Sequence, residues 1–499
     1  MALRAISDRR TFMLSQNDIV GLCSSNPMAI LTLIESLQAH VCQLEAQVLE
    51  LKDEVQDLKN RLSKDSHNSS KPPSSDGLSK KPPKPRSLRP RTDRSPGAQW
   101  GHPGRSLEPA EEPDRTEVYS LDACKTCGCS LDEPVGVERR QVFDVPPMRL
   151  LVTEHQALKY FCPHCQAIKQ AEFPAKVTQL VQYGPGILGL CVYLTQYQLL
   201  PFARTEQLLT DLFGQSPCEG TLALAHARCY DALASVETAI KAAITAADIA
   251  HFDETGVRIE TMLQWLHVAC TSRLTYYARH KKRGRDAFTQ LDILPRFQGV
   301  SVHDFLASYR CQDYPCRHSL CNAHLLRELT AMWETTGQTW TQRMSALLLC
   351  LKRAKEVGQA AGYTELDPRL LARYSDIYRR IVQRALRKNP LPERTGNRGR
   401  PAKGFIRCLL ERLDTYEAEV LRFASNFAVP FDNNQAERDL RMAKVRQKVS
   451  GCFRSSTGAD HFCRIRGYIS TLRKQGLDIL HALHSVFAGN PLYPSLEIA

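Results

Sequence analysis

Three acidic residues that lie far apart in the chain have surroundings suited to binding divalent cations. Glu437 falls in the first turns of a predicted helix, behind a proline, an aspartate and two asparagines that suit a turn and an N-cap. Asp253 and Asp304 lie in apolar segments with the pattern of strands. Because Mg²⁺ prefers oxygen ligands, three spaced carboxylates can hold two such ions. The three acids therefore predict a site for two Mg²⁺ or Mn²⁺ ions.

The predicted helix that carries Glu437 is also rich in cations, which suit the phosphate groups of DNA. Five of them follow the acid: Arg438, Arg441, Lys444, Arg446 and Lys448. A solvated amphipathic helix in which Glu437 pairs with Arg441 four residues later is the alternative. The formal net charge of +13 favours a polyanionic partner. Nucleic acid is the first candidate, because acidic membranes usually require an anchor as well.

The elements that must position these acids form an α/β pattern. Strands are predicted at 248–259, 263–270, 274–279 and 299–304, a helix at 286–294, and a fifth strand at 319–324 that runs into a helix at 325–332. Three strands, a helix and further strands match a ribonuclease-H-like α/β core. In that arrangement Asp253 and Asp304 lie on adjacent central strands. The side chain of Glu254 faces the other side of its strand and is not predicted to bind metal.

A helical, polar and basic segment at 333–421 separates Asp304 from Glu437. We interpret this segment as an insertion in the catalytic core, which explains why the third acid comes so late in the chain. Two further helices are predicted near the C-terminus, at 462–474 and 477–487.

Two CxxC pairs offer the sulfur ligands of a structural zinc ion. The four cysteines are Cys124, Cys127, Cys162 and Cys165. Each pair supplies two thiolates from a tight turn, so both pairs together complete a tetrahedral Zn²⁺ shell. Strands are predicted between the pairs, at 141–145 and 150–158. Cys129 and His164 are substitutes for one ligand, and a redox-active CxxC is the alternative interpretation.

The N-terminal part combines a predicted coiled coil with a basic linker. From residue 30 to residue 62, apolar side chains recur at alternating steps of four and three. Ile or Val at most a positions with Leu at d favours a parallel two-stranded coiled coil, and a single amphipathic helix packed on the body is the alternative. Residues 63–105 are rich in Lys, Pro, Ser and Arg and predict a linker. This linker either follows a DNA backbone by counterion release or solubilises the chain.

Residues 181–245 predict a helical, helix-turn-helix-like domain. Helices at 186–199 and 204–213 precede a Gly-Gln-Ser turn and a third helix that begins near Pro217. A short turn containing glycine is typical of helix-turn-helix domains, in which the following helix reads DNA. Helical bundles use the same turn, and the third helix is rich in alanine, so both interpretations stay open.

A length of 499 residues indicates three or more domains. No apolar run reaches transmembrane length and the start of the chain lacks a signal-peptide core, so a cytoplasmic, nucleoid-associated protein is expected. The predicted organisation is an N-terminal segment (1–29), a coiled coil (30–62), a linker (63–105), a zinc-binding module (106–180), a helix-turn-helix-like DNA-binding domain (181–245), the first part of the catalytic core (246–332), a helical insertion (333–421), the Glu437 helix of the core (422–450) and a C-terminal helical region (451–499).

Taken in order, the motifs of the chain resemble those of the insertion-sequence-66 family of DDE transposases. They are Asn68-Ser-Ser-Lys-Pro-Pro-Ser-Ser-Asp76, the two CxxC pairs, Asp253-Glu-Thr-Gly, His303-Asp304, Cys321-Asn-Ala-His324, Asp432-Asn-Asn-Gln-Ala-Glu437-Arg and Phe453-Arg-Ser-Ser-Thr-Gly-Ala459. The resemblance covers almost everything from residue 68 onward. It implies that Asp253, Asp304 and Glu437 form the catalytic triad. It also implies that Cys321 and His324 form the family's CxxH element, for which we favour a structural role over metal binding.

The resemblance implies a transposase that binds the ends of an insertion sequence and catalyses two-metal DNA strand cleavage and strand transfer. Its cofactors would be two Mg²⁺ or Mn²⁺ ions and one structural Zn²⁺. Its partners would be element ends, target DNA, further copies of the chain through the coiled coil, and accessory transposition proteins. Two other functions stay open from the residues: a structure-selective nuclease with the same fold, and a catalytically inactive dimeric DNA-binding regulator.

Overall fold

The computed structural model describes residues 27–62, 107–131, 133–146, 148–391 and 404–497. The chain divides into two compact units. One contains residues 323–351 and 372–414 together with the N-terminal helix, and the other contains the central sheet. The predicted linker at 63–105 lies outside the described residues. No helix within the described ranges is long and apolar enough to cross a membrane.

The helix predicted at the N-terminus is present as α1, Pro27–Leu62. Seven heptad side chains that the structure describes are exposed in the single chain: Ile34, Leu37, Val41, Leu44, Val48, Leu51 and Val55. Apolar side chains in a continuous helical stripe gain stability only when another surface covers them. The sequence pattern and the exposure of α1 therefore leave an apolar face that the described residues of the single chain do not cover.

Strand structure around the CxxC pairs is more limited than the sequence predicts. Strands β1 (Lys159–Cys162) and β2 (Ala167–Gln170) form an antiparallel hairpin whose turn carries the second pair. The predicted strands at 141–145 and 150–158 are wrong, since the residues described there form no strand. Val142 and Val152 are largely exposed, and an apolar run becomes a strand only when a neighbouring strand pairs with it.

The helical region begins with α2 (Pro185–Val192), which continues into a π-helical turn (Tyr193–Tyr197). Helices α3 (Phe202–Phe213), α4 (Glu219–Ala232) and α5 (Ala234–Thr245) follow. Gly214 ends α3 with a φ of 76°, a conformation that favours glycine. Helix α4, the predicted reading helix, contributes Ala225 and Cys229 to the same apolar core as the sheet. One face of α4 is therefore buried against the rest of this unit.

The central sheet has five strands in the order β5-β4-β3-β6-β7. Strands β3 (Ile249–Ile259), β4 (Met262–Cys270) and β5 (Thr275–His280) form an antiparallel meander, and α6 (Arg285–Leu291) follows it. Strands β6 (Val300–His303) and β7 (Arg317–Leu320) run parallel to β3, with a 3₁₀ turn (Ala307–Arg310) between them. The first four predicted strands and the intervening helix are present close to their predicted bounds. The fifth strand ends at Leu320 rather than at residue 324, because the next helix already begins at Asn322.

Between β7 and residue 425, the described part of the chain forms five helices. They are α7 (Asn322–Thr336), α8 (Thr339–Ala360), α9 (Pro368–Lys388), α10 (Phe405–Thr415) and α11 (Glu417–Ser425). Residues 323–351 and 372–414 form the separate compact unit, a shorter stretch than the predicted insertion at 333–421. Within that unit, the Tyr378 hydroxyl donates a hydrogen bond to the Leu413 carbonyl at 2.9 Å. Gln338 and Asn389 exchange side-chain hydrogen bonds of 2.9 and 3.1 Å.

The sheet is covered on both faces. Phe252 of β3 packs in one core with α4, α5 and the C-terminal helices α13 (Ser456–Lys474) and α14 (Ile479–Phe487). Val257 and Ile259 pack in a second core with α12 (Asn434–Ser450). Helix α13 lies close to β5, since a Cβ on Gly467 would be 3.2 Å from the Thr275 carbonyl oxygen. Strand β3 is thus fixed from both sides, as alternating side-chain directions require.

Candidate active site

Two of the predicted site acids come from adjacent parallel strands. His251 of β3 is in register with Val302 of β6. Asp253 and Asp304 each lie two residues further along, Asp253 within β3 and Asp304 just beyond the end of β6. The equal offset places both acids at the same level of the sheet. The Asp304 Oδ1 atom accepts a hydrogen bond from the Leu306 backbone at 2.8 Å, which fixes its side chain.

Glu437 reaches this level from the first turn of α12. The residue before the helix, Asn433, is 1% exposed and joins the helix to the sheet. Its Oδ1 accepts a hydrogen bond from His251 Nδ1 at 2.8 Å, and its Nδ2 donates one to the Phe252 carbonyl at 2.9 Å. Its backbone amide donates to Cys321 Sγ at 3.1 Å. The start of α12 is thereby held against β3.

The predicted N-cap differs in its chemistry from the sequence expectation. Asn433 occupies the N-cap position, but its side chain makes no capping hydrogen bond because it is committed to the sheet. Asp432 instead accepts a hydrogen bond from the Asn434 amide at 3.1 Å. Residue types that suit a cap can equally bridge two elements, and only the tertiary structure distinguishes these uses.

Electrostatics couple the three acids. Burial raises the pKa of Asp253 well above its usual value, and three neighbouring carboxylates raise it further: Glu254, Asp304 and Glu437. Like charges held together in a poorly solvated place favour either a proton or a cation between them. Hard oxygen donors with a surplus of negative charge fit a divalent cation such as Mg²⁺ or Mn²⁺.

The spacing of the acids is wider than the footprint of one ion. Among the described residues, Asp253, Asp304 and Glu437 do not form a set whose ligand atoms all lie within 4.8 Å of one another. A pair of ions about 4 Å apart has its carboxylates distributed around both ions, so a wider set is compatible with it. A carboxylate oxygen of Glu437 does lie within 4.8 Å of Cys321 Sγ. Cys321 follows β7, and His324 lies in the first turn of α7.

Glu254 is buried on the face of β3 opposite to Asp253, as predicted, but it is not isolated. Its side chain is fully buried and forms an ion pair with Arg283, with Nε 2.6 Å from Oε1. Its other carboxylate oxygen accepts a hydrogen bond from the Tyr309 hydroxyl. Burial raises the pKa of Glu254, and Asp304 contributes to the increase. Glu254 is therefore electrostatically part of the site's surroundings.

His303 supports the backbone at Asp304. Its Nδ1 donates to the Asp304 carbonyl, and its Nε2 accepts a hydrogen bond from His318 Nδ1 at 3.0 Å. Burial lowers the pKa of His303 to about 3, so the ring is neutral at physiological pH. A neutral imidazole has one donor and one acceptor nitrogen, which matches these two contacts.

The five cations predicted to contact DNA fall into two groups. Arg438, Arg441 and Lys448 are exposed on α12. Lys444 donates to the Gly256 carbonyl at 2.5 Å, and the guanidinium of Arg446 lies 3.8 Å from the centre of the Phe453 ring. Lys444 and Arg446 therefore hold α12 against neighbouring elements. The nearby Asp439 pairs with Lys474 at 2.8 Å, rather than with Arg438 or Arg441.

Each CxxC pair forms a turn whose amides point at sulfur. Hydrogen bonds from the Thr126 and Cys127 backbone lower the pKa of Cys124. Those from Cys165 and His164 likewise lower the pKa of Cys162. Stabilised thiolates are the form that binds zinc, so this donor chemistry fits the ion. Within the described ranges the four sulfurs are not gathered within 4.8 Å of one another, so their joint ligation stays a prediction.

Comparison with known protein families identifies the chain. A family model described as "Transposase IS66 family" matches residues 181–461, more than half of the chain. The chain belongs to the IS66 transposase family. A model for the "zinc-finger binding domain of transposase IS66" matches residues 122–166, from one CxxC pair to the other. A third model, for a family of unknown function (DUF6444), matches residues 25–108.

Membership confirms the family predicted from the ordered motifs, and with it a transposase that carries a zinc-binding domain and binds DNA. No curated protein matches the chain significantly. One solved structure with detectable similarity is the "CryoEM structure of simian T-cell lymphotropic virus intasome in complex with PP2A regulatory subunit B56 gamma", at 14% identity over 31% of this chain and 53% of that one, with a TM-score of 0.14. The match spans about half of that chain, and with so low a TM-score it supports no conclusion about this one.

Asn433 supplies the first prediction. Substituting Asn433→Ala leaves His251 Nδ1 and the Phe252 carbonyl without their buried partner, which costs about 1–3 kcal/mol for each unpaired group. We expect a lower free energy of unfolding and, because Glu437 loses its support, a lower affinity for Mn²⁺. Chemical denaturation and calorimetric titration measure both quantities. Asn434→Ala is the matched control, since Asn434 is exposed, and equal effects of the two substitutions would contradict the role of Asn433.

The zinc-binding module supplies the second prediction. Purified protein should contain about one zinc ion per chain, and Cys162→Ser should lose it and unfold the module, because structural zinc contributes on the order of 10–16 kcal/mol. Elemental analysis and limited proteolysis measure these outcomes. Cys452→Ser is the control and should keep its zinc, because Cys452 is an exposed cysteine outside the zinc-binding module. A folded, reduced preparation without zinc would contradict the assignment.

Proposed function

We propose that the chain is a DDE transposase that cleaves DNA at the ends of an insertion sequence and joins the freed ends to target DNA. The observation that carries this proposal is the placement of Asp253 and Asp304 at the same level of adjacent parallel strands. Burial and the neighbouring carboxylates, which raise the pKa of Asp253, agree with it. Family membership makes the chain a transposase. The carboxylate cluster supplies a place for the chemistry that a transposase must perform.

Asp253, Asp304 and Glu437 would hold two Mg²⁺ or Mn²⁺ ions and thereby act as the catalytic triad. When bound, the ions would activate the attacking oxygen and stabilise the leaving oxygen. The protein's own contribution is positioning. Asn433 fixes the start of the helix that presents Glu437, and the neutral ring of His303 fixes the backbone of Asp304. The flanking carboxylates then need little rearrangement when cations arrive.

The proposed reaction exchanges phosphodiester bonds in two steps. Water first attacks phosphorus at the element end, a new P–O bond forms, and the 3′-oxygen leaves with a proton as a free hydroxyl. That 3′-hydroxyl then loses its proton, attacks a target phosphodiester and displaces the target 3′-oxygen. Joining conserves the number of phosphodiester bonds, so it requires no external energy source and no covalent protein intermediate.

Other parts of the chain would bind and pair the DNA ends. On α12, the exposed Arg438, Arg441 and Lys448 are available for phosphate, and the basic linker and the helical region at 181–245 are further candidate DNA contacts. Cys124, Cys127, Cys162 and Cys165 would hold the zinc ion. The observed strand order, with acids on adjacent central strands, supports a ribonuclease-H-like core.

The triad supplies the third prediction. Asp253→Asn, Asp304→Asn and Glu437→Gln should each abolish nicking and strand transfer of a labelled element end while DNA binding stays near wild type. Because the three ligands act as one unit, losses should not add in double variants. Asp292→Asn is the matched control, since Asp292 pairs with Arg296 away from the cluster. Glu254→Gln is not a suitable control, because it would take from Arg283 and Tyr309 the buried carboxylate that both contact.

Robust cleavage by the Glu437→Gln protein would contradict the triad. A wild-type protein that nicks but never joins ends would favour the structure-selective nuclease. Specific binding of element ends without nicking would favour the inactive regulator.

The apolar stripe of α1 supplies the fourth prediction, that the chain is a dimer or higher oligomer through a coiled coil. Leu37→Lys with Leu44→Lys should lower the molecular mass in light scattering, because two charges would be buried in the seam. Ser36→Lys with Gln43→Lys is the matched control, which adds the same charge outside the stripe and should leave the mass unchanged. Monomeric wild-type protein would contradict the coiled coil.

A further inference from the structure

The loop between β5 and α6 carries an arginine that faces the acid cluster. Arg283 follows the strand end at His280 and is partly exposed. Its Nη2 atom lies 3.9 Å from Asp304 Oδ2, which is too long for a hydrogen bond but close enough for strong attraction. Its Nη1 makes no hydrogen bond within the described part of the chain. The guanidinium is thus oriented toward the acid cluster, and it keeps hydrogen-bond donors available for a ligand.

Two contacts fix the direction of the guanidinium, and further groups hold the first of these partners. Its Nε lies 2.6 Å from a carboxylate oxygen of the fully buried Glu254. Its plane lies over the Trp265 ring, with Cζ 4.9 Å from the ring centre. Glu254 in turn is held by the Tyr309 hydroxyl, and the Tyr309 ring stacks on His303 with centroids 4.6 Å apart. Contacts with the protein therefore preorganise the Arg283 side chain, which would otherwise move freely in solvent.

The backbone of the loop is fixed as well. The Lys282 carbonyl accepts a hydrogen bond from His267 Nε2 at 3.3 Å, and it lies 3.0 Å from His280 Nδ1. Gly284 passes close to the 3₁₀ turn, since a Cβ there would be 3.2 Å from Ser308 Oγ. Lys282 and Gly284, the two residues that flank Arg283, are thus held in place. An arginine on such a loop can keep its position when a charged ligand arrives.

We propose that Arg283 binds a non-bridging oxygen of the DNA phosphate that reacts at Asp304, and that Glu254 is the positioning residue that aims it. This inference rests on the proposed function and adds a protein cation to the site. A guanidinium has a fork of donors, so one edge can pair with Glu254 while the other contacts phosphate. The amine of a lysine cannot make both contacts in this geometry. The phosphate would then be held by a fixed positive charge during attack.

A purely structural role for Arg283 is the competing explanation, since Glu254 is buried and requires a counter-charge. A DNA substrate whose scissile phosphate carries no charge distinguishes the two roles. Wild-type, Arg283→Lys and Arg283→Gln proteins are compared on an element end with a normal scissile phosphate and on one with a neutral methylphosphonate at that position. Single-turnover nicking rates are measured at saturating Mn²⁺ and protein concentrations.

We expect Arg283→Gln to slow nicking of the normal phosphate by roughly 10²–10³-fold, the range for removing one fixed donor to developing charge. On the methylphosphonate, the same substitution should have an effect at least tenfold smaller, because the oxygen that Arg283 contacts no longer carries charge. Arg283→Lys should fall close to Arg283→Gln. Lys282→Ala is the matched control, since Lys282 pairs with Asp286 at the surface and should nick normally.

The double variant Glu254→Gln with Arg283→Gln removes the buried carboxylate together with its partner cation. It therefore leaves neither charge unpaired, and it tests the role of Arg283 even if a single variant unfolds. It should melt like the wild type and still nick slowly. Equal losses on both DNAs, or normal nicking by Arg283→Gln, would overturn the proposal for Arg283 alone. Wild-type protein that nicks neither substrate would overturn the proposed function, and the role of Arg283 with it.

Discussion

Crowding of negative charge near Asp253 is the constraint on which the rest of this structure depends. Burial and three neighbouring carboxylates raise the pKa of Asp253 together. Such an arrangement is unfavourable at neutral pH unless a cation occupies it or the surrounding fold holds it in place. The sheet, α12 and the histidines of the strand ends hold the acids in place, and divalent cations would neutralise them.

The groups that support the acids are mostly uncharged. Burial lowers the pKa of His251 and of His303, so both rings are neutral hydrogen-bonding groups. Asn433 also carries no charge and joins β3 to the start of α12. These neutral side chains therefore position the acids without neutralising their negative charge. The Arg283 guanidinium lies 3.9 Å from Asp304, and Glu254 takes up much of its charge.

Much of this arrangement could be predicted from the sequence, because strand patterns are local. The order of the five strands and α6 along the chain follows from short apolar runs and the turns between them. Asp253 lies within one of these runs and Asp304 at the end of another, so both acids could be placed on strands from the sequence. Part of the long interval before Glu437, residues 323–351 and 372–414, belongs to the other compact unit. Exposure of the stripe on α1 also agrees with the heptad pattern.

Other features depend on contacts that no local pattern reports. Asn433 has the residue type of a cap, yet its side chain bridges to Phe252 of β3, 181 residues earlier in the chain. Glu254 follows the alternation rule, but its coupling to Arg283 appears only when β5 and α6 are folded beside it. Lys444 and Arg446 carry the same charge as the exposed cations of α12. Only their contacts in the folded protein show that they hold the helix in place. The strands predicted before Lys159 failed because no neighbouring strand pairs with them.

The most direct test of the central claim is thermal unfolding of wild-type and Asp253→Asn protein, with and without Mn²⁺, near neutral pH. An acid whose pKa is raised on folding costs no stability below its unfolded pKa. The cost grows as the pH rises from the unfolded pKa to the folded pKa, and it is complete above the folded pKa. Without metal, Asp253→Asn should therefore unfold at a higher temperature than the wild type. With Mn²⁺ at about 100 times its Kd, the wild type should gain about 2.7 kcal/mol, and the variant should gain much less. Equal stabilisation of both proteins by Mn²⁺, or none of the wild type, would contradict a metal site at this acid cluster.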